Sequence, residues 1–490
     1  MSIAKNSKLH STIITMLLLV MLYSCCNDEE GKIPITTTSC EAREYYTIGR
    51  ELAENLQRQK ASENFEKAIE LDSGFALAYF GMAMVQTKAE EIFRYLSIAE
   101  SLAVKASEGE QLLIKAMHAG INRDPEQQLK YYQTLLEKYK KDERVLYQIG
   151  NFYFSQRDFE KAIEYYKKTI QMNENFAPVY NQLGYAFRFV EKYEAAEKTF
   201  KQYIRLIPNN PNPYDSYAEL LLKMGEYESS LEQYGKAIKQ DSTFVASYIG
   251  MATNLVYISD YYEARLLMDQ FYNNAQNEEE KRRALVFSAV SYVDEGDYNK
   301  AIEILEKLID ESKENENAAS NAVANGIKSA IYFETGKYDQ AVTAYKKAIE
   351  IIKNSKLPVE IKHETKYDIL FGEALVLSKR NKFEQAKLNA DNYMKEAQNK
   401  NDLNQIRKGY EIYGRIALDM KEYDKAIENL LQADLHNPYN LYLLAQAYKK
   451  NNDIENAKLY LKKVVNFNSL LDLNYAFCRL KAKYELADLQ

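Results

Sequence analysis

The chain has 490 residues, 46% of them apolar and 28% charged, a balance that supports a buried core and excludes a disordered polyelectrolyte. Its formal net charge of −7 leaves no overall basic footprint for nucleic acid. With only 8 Pro and 17 Gly among abundant Ala, Leu, Glu and Lys, the composition favours helix over strand and turn.

The first thirty residues read as an export signal. Lys5 and Lys8 precede an apolar stretch from Ile13 to Leu22, which is too short to span a bilayer and suited to a secretory signal. It runs into Leu22-Tyr23-Ser24-Cys25, which resembles the lipobox of bacterial lipoproteins. The resemblance implies a signal peptide over 1–24, cleavage after Ser24 and a diacylglyceryl group on Cys25. The mature chain would then hang by lipid from the outer membrane of a Gram-negative cell envelope, on its periplasmic or cell-surface face. An ordinary signal peptide with an incidental cysteine is the other reading. Residues 25–40, with Asn27-Asp28-Glu29-Glu30, Gly31, Pro34 and three Thr, read as a flexible tether. The acidic run resembles surface-export signals of some lipoproteins, and a solvated linker explains it equally well.

From residue 41 the chain repeats itself. A small residue recurs at Gly49, Ala83, Ala116, Gly150, Gly184, Ala218 and Ala252, with spacings of 33 or 34. It continues at less regular intervals, wider in all but the last step, through Ala289, Ser329, Ala374, Gly414 and Ala445. Twelve residues after most of these anchors stands a second small residue, including Ala162, Ala196, Ala264, Ala301, Ala341 and Ala426. Two antiparallel helices approach closely only where the contact side chains are small, so these positions mark helix-pair seams. Three residues before the second small residue an aromatic recurs, as at Phe159, Tyr193, Tyr227, Tyr261, Tyr298, Tyr338, Phe383 and Tyr423. Tyr95 and Gln128 break the pattern in the second and third units, where Ile92 to Ala119 suggests irregular helices. The wider spacings imply longer helices, or loops near Glu311–Ala324, Asn354–Glu364 and Ala397–Gln405. Asn273 to Arg283 reads as a hinge. Phe477, Leu480, Tyr484 and Ala487 give the last segment a helical pattern suited to capping the final apolar face.

The unit Leu183, Gly184, Phe187, Ala196, Phe200, Pro208 resembles the tetratricopeptide-repeat (TPR) signature, and the whole of 41–490 resembles TPR proteins. The expected fold is all-α, a right-handed TPR-type solenoid of about twelve helix pairs with a C-terminal capping helix. Its expected parts are one block over 41–274, a second with longer repeats over 275–472, and the cap over 473–490. The resemblance implies a concave groove lined by first helices that binds a peptide or helix of a partner protein. Positions −3, +1 and +4 from each anchor would face it. In the fourth to sixth units these include Tyr147, Asn151 and Phe154, then Asn181, Tyr185 and Arg188, then Asp215 and Glu219. Asn side chains suit a peptide backbone and rings suit its side chains. The same aromatics suit the filling of the solenoid's own inner seam, and both readings stand at this point. The chaperone-tail carboxylate clamp is not matched, because Tyr147 and Gln182 hold its Lys and second Asn slots.

Nothing in the sequence calls for chemistry. Signal, tether, repeats and cap leave no room for a catalytic domain, and no P-loop, GxSxG or HExxH motif occurs. Cys25, Cys26, Cys40 and Cys478 form no CxxC pair and the four His are scattered, so neither a metal nor a cofactor is expected. The expected role is a lipid-anchored scaffold that binds protein partners, touches the membrane only through its N-terminal lipid and is not an enzyme. The other class considered is a glycan- or nutrient-binding outer-membrane lipoprotein. Members of that class carry large aromatic insertions, often with Trp, and this chain has no Trp.

Overall fold

Small residues at a fixed period demand paired helices, and a computed structural model supplies them. It describes residues 28–357 and 359–489, among which there are helices and no strand. In chain order the helices are α1 (Cys40–Glu54), α2 (Arg58–Leu71), α3 (Ala76–Val85), α4 (Ala89–Ala103), α5 (Glu108–Ile121), α6 (Pro125–Lys138), α7 (Glu143–Ser155) and α8 (Phe159–Met172). They continue as α9 (Ala177–Phe189), α10 (Tyr193–Leu206), α11 (Pro211–Met224), α12 (Tyr227–Gln240), α13 (Val245–Tyr257), α14 (Tyr261–Asn273), α15 (Glu278–Glu295) and α16 (Tyr298–Glu314). The last are α17 (Ala318–Glu334), α18 (Tyr338–Asn354), α19 (Val359–Lys379), α20 (Phe383–Asn399), α21 (Leu403–Asp419), α22 (Tyr423–Gln432), α23 (Pro438–Lys450), α24 (Ile454–Val465) and α25 (Leu473–Asp488). The architecture is an all-α solenoid.

Turns within pairs are set by local chemistry. Where Gly225 and Gly296 end α11 and α15, each adopts a left-handed φ, of 80° and 92°, which glycine enters without steric cost. Many second helices then start on an acidic cap. The Asp158 carboxylate accepts a hydrogen bond from the Lys161 amide at 3.2 Å, and Asp297 does the same for Lys300 at 3.0 Å.

The seam has a partner that makes the small residue necessary. A Cβ on Gly49 would stand 2.9 Å from the Phe65 ring, one on Gly150 2.4 Å from Tyr166, and one on Gly184 2.5 Å from Phe200. Each ring comes from the second helix, sixteen positions on. The next first helix repeats the arrangement, since a Cβ on Gly81 would stand 2.6 Å from Phe65 and one on Gly250 2.1 Å from Tyr234. The small residues of second helices, Ala162, Ala196, Ala264, Ala301 and Ala426, are fully buried, and Ala341 is 2% exposed. Gln128, which departs from the small-residue rule, is accommodated by Gly120, where a Cβ would meet the Gln128 amide at 2.4 Å. Gly184→Leu is expected to overpack against Phe200 and to lower stability by ~1–3 kcal/mol in chemical denaturation, with helicity retained before the transition.

Several expectations are corrected. Ile92 to Ala119 is covered by the regular helices α4 and α5, not by irregular ones. Of the two readings of the wide spacings, longer helices hold and loops do not: α16 to α18 and α20 and α21 each have 17 residues, against 13 or 14 in α7 to α14. Adding about one turn of 3.6 residues returns the same face to the seam, so the small-residue contact survives the insertion.

The chain divides into two compact units, 1–182 and 183–490, whose limit falls within α9. The expected hinge near Asn273–Arg283 is a short connection between α14 and α15 within the second unit. Over its described residues, the segment expected to be a flexible tether is bound to the first unit. The amide of Ile33 donates to Asp142 at 3.1 Å, that of Thr36 to Glu110 at 2.9 Å and that of Thr38 to Asp72 at 2.8 Å. The Thr36 and Thr37 hydroxyls donate to Glu110 and Asp72, and Arg43 donates to the Ile35 carbonyl. Three carboxylates at the starts of α5 and α7 and the end of α2 thus capture a segment whose composition alone reads as linker. The last helix does more than cap. It packs on α23 and α24, as a cap must, and also across the unit on α15.

Candidate partner-binding surface

First helices of successive pairs touch one another, α1 with α3 and α3 with α5 in the first unit, and α11, α13, α15 and α17 in turn in the second. They form one continuous row in each unit, called here the inner row after the expected groove, and the positions expected to face that groove lie on these helices.

In the first unit, Tyr147 meets Phe176 edge to face at 5.2 Å and tilts against Tyr166 at 6.1 Å. Asn151 accepts a hydrogen bond from the buried Tyr166 hydroxyl at 2.9 Å. Phe154 packs edge to face on Phe159 at 5.3 Å, and Asn181 is 7% exposed. Two residues that the sequence reading passed over, Glu54 and Arg144, join α1 to α7 across three repeats. Arg144 donates to both Glu54 oxygens, Nε at 2.7 Å and Nη2 at 3.1 Å, and lies 5.2 Å over the Phe176 ring. Their pairing has no signature in sequence, because neither stands at a repeating slot.

In the second unit the structure joins three of the named residues in one network. The Tyr185 hydroxyl donates to Glu219 at 2.8 Å and the Arg188 guanidinium to the other Glu219 oxygen at 2.7 Å. Arg188 also lies 4.9 Å over the Tyr185 ring. Asp215 accepts from Ser247 at 2.8 Å. Burial, reinforced by the nearby Glu219 charge, pushes the Asp215 carboxyl up to about 7. Arg188 and Asp215 are buried. The residues expected to meet a peptide therefore bond neighbouring repeats to each other.

That shift has a measurable consequence. The folded chain holds the Asp215 proton to about 7, against 3.8 for a free carboxyl. Between those values the folded state binds more protons than the unfolded one, so this group's contribution to stability falls as pH rises through the window. Asp215→Asn should flatten that decline, and the melting temperature of the variant should gain on wild type between about pH 4 and about pH 8.

Further along the same row, side chains bind another stretch of main chain, the non-helical link between α24 and α25. The Lys223 ammonium donates to the Phe467 carbonyl and lies 4.4 Å over the Phe467 ring. Burial, with repulsion from Arg188, draws this ammonium down to about 8. The Tyr257 hydroxyl donates to the Ser469 carbonyl at 2.5 Å, and the Leu471 amide donates to the Thr253 hydroxyl at 3.3 Å. Tyr227 donates to the Asn468 side chain at 3.1 Å. Beyond the link, Arg479 of α25 pairs with Asp294 of α15, Nε to Oδ1 at 2.8 Å, and donates to Tyr261 at 3.1 Å. Tyr475, fully buried, packs edge to face on Tyr257 at 5.7 Å. Periodicity could not reveal this docking, because the paired residues lie some two hundred positions apart.

Among the described residues no group of three His, Cys, Asp or Glu side chains is placed to hold a metal ion, and no helix is long and apolar enough to cross a membrane. Cys25 lies outside the described residues.

Tetratricopeptide-repeat models match residues 143–176, and 177–210, 283–315, 322–355 and 438–469. No curated protein matches the chain. Among solved structures it is similar to YrrB, described as a TPR protein with an unusual peptide-binding site, at 20% identity over 36% of this chain and 91% of that one, TM-score 0.26. It is also similar to MamA 41-end from Desulfovibrio magneticus RS-1, at 15% identity over 35% and 99%, TM-score 0.31. A third is PilF of Pseudomonas aeruginosa, at 18% identity over 50% and 96%, TM-score 0.29. With paired helices, small-residue seams and family models at five places along it, the chain is an all-α solenoid that carries tetratricopeptide repeats.

Proposed function

We propose that this chain is a non-catalytic scaffold of the cell envelope, held to the outer membrane by lipid on Cys25, which binds a segment of a partner protein. The observation that carries the binding role is the inner row of the second unit. There Lys223, Thr253 and Tyr257 bond main-chain groups of a non-helical segment, while Tyr227, at the start of the adjoining second helix α12, holds a side chain. Side chains that bond peptide carbonyls and amides recognise chain conformation, and nearby rings supply apolar contact. A surface with these groups suits polypeptide better than a small molecule.

The anchor rests on the resemblance of Leu22-Tyr23-Ser24-Cys25 to a lipobox, and several acyl chains together give stable attachment. Cys25→Ser should move the protein from the membrane fraction to the soluble fraction of fractionated cells. Retention of the variant on membranes would refute lipid attachment. The partner itself is accessible to crosslinking in intact cells followed by mass spectrometry. Reproducible crosslinks to one envelope protein would support the scaffold role, and recovery of this chain alone would count against it.

A further inference from the structure

The inner row of the second unit is occupied by another part of the same chain. Residues 466–489 leave α24, cross α11, α12 and α13 as a non-helical link, and return as α25 against α15. The link is held at three main-chain groups and one side chain. The helix is held by the Arg479–Asp294 pair with Tyr261, by Tyr475 on Tyr257 and by Lys481 3.5 Å from Glu334. Tyr257 serves both parts, through its hydroxyl to the link and its ring to the helix. The occupant is joined covalently, so the contact is intramolecular and holds a high effective concentration at the surface.

We infer that this row is a receptor for an apolar segment that runs into an Arg-bearing helix, and that residues 466–489 fill it as an internal competitor. A partner segment of the same chemistry binds by displacing them. The pattern to be matched is an aromatic followed by two Leu, as in Phe467-Asn468-Ser469-Leu470-Leu471, then a helix carrying Tyr and Arg four positions apart on one face, as Tyr475 and Arg479 are. This rests on the proposed role in partner binding and adds the chemistry of the ligand and its control.

The test uses full-length protein and a fluorescent synthetic peptide of residues 466–489. Phe467→Ala with Leu471→Ala weakens the internal segment and leaves the receiving surface unchanged. The expected result is peptide binding by this double variant at least tenfold tighter than by wild type. Binding should be lost again when Lys223→Ala, Thr253→Val and Tyr257→Phe are added. Equal binding by wild type and the double variant, or none by a double variant of unchanged helicity, would overturn the inference. Hydrogen exchange of the wild-type chain gives an independent reading that needs no variant. Residues 466–489 should exchange through an opening that leaves α11 to α14 protected, and exchange only together with those helices would also overturn it. Peptide exchange without any partner crosslinked in cells would sink the scaffold reading and leave this inference standing.

Discussion

Arg479→Ala is expected to destabilise the second unit by about 3–5 kcal/mol, because it strands a buried carboxylate. The Asp294 side chain is fully buried and that of Arg479 is 10% exposed. The guanidinium bonds both Asp294 oxygens, and Tyr261 donates to one of them at 2.7 Å. Removing the cation leaves an anion in low dielectric with one neutral donor, and part of the loss is the cost of that unpaired charge. Hydrogen exchange followed by mass spectrometry should show the largest loss of protection in α15 and α25. Arg479→Lys keeps the charge but not the fork of donors, and should recover only part of the loss. An Arg479→Ala chain with wild-type protection in both helices would show that the pair contributes nothing in solution.

Phe65→Ala is expected to cost the first unit about 3–5 kcal/mol, through lost burial and the cavity left behind. The ring is 1% exposed and lies between Gly49 and Gly81. Neither glycine has a side chain that can move into the space, so the site collapses poorly. Loss of protection should centre on α1 to α3, with far-UV helicity nearly unchanged at low temperature. Gly81→Ala probes the same contact from the other side, since its new methyl would stand 2.6 Å from the ring. Both substitutions should destabilise, one by a void and the other by crowding, and a neutral Gly81→Ala would argue against the close approach.

The seam was legible in sequence because its physics is local and periodic. Gly49, Gly150 and Gly184 stand where a ring sixteen residues later leaves no space for a Cβ, and that pairing recurs with each helix pair. The placing of Tyr185, Arg188, Asp215 and Glu219 on successive first helices was legible for the same reason. Their mutual bonding was not, because the repeat gives a direction for each side chain and not the length or charge of the one opposite. Tyr185 and Glu219 hold the same slot in neighbouring repeats, and only their chemistries make them partners. The segment from Asp28 to Ser39 misled for a related reason. Its Thr, Pro and Gly content reads as linker, while its acceptors Asp72, Glu110 and Asp142 lie 34 to 109 residues away from the groups they bind.

An open file of repeats, each touching only its neighbours, folds from any point and melts piecemeal. The second unit departs from that behaviour because its end is stitched to its middle, with the Lys223 and Phe467 contact closing 244 residues and the Arg479 and Asp294 contact closing 185. Such closures raise the mean sequence separation of native contacts, which slows the search for the folded state and postpones its reward until α25 has been made. A ribosome releasing this chain would complete every hairpin of the second unit before the residue that locks them together emerged.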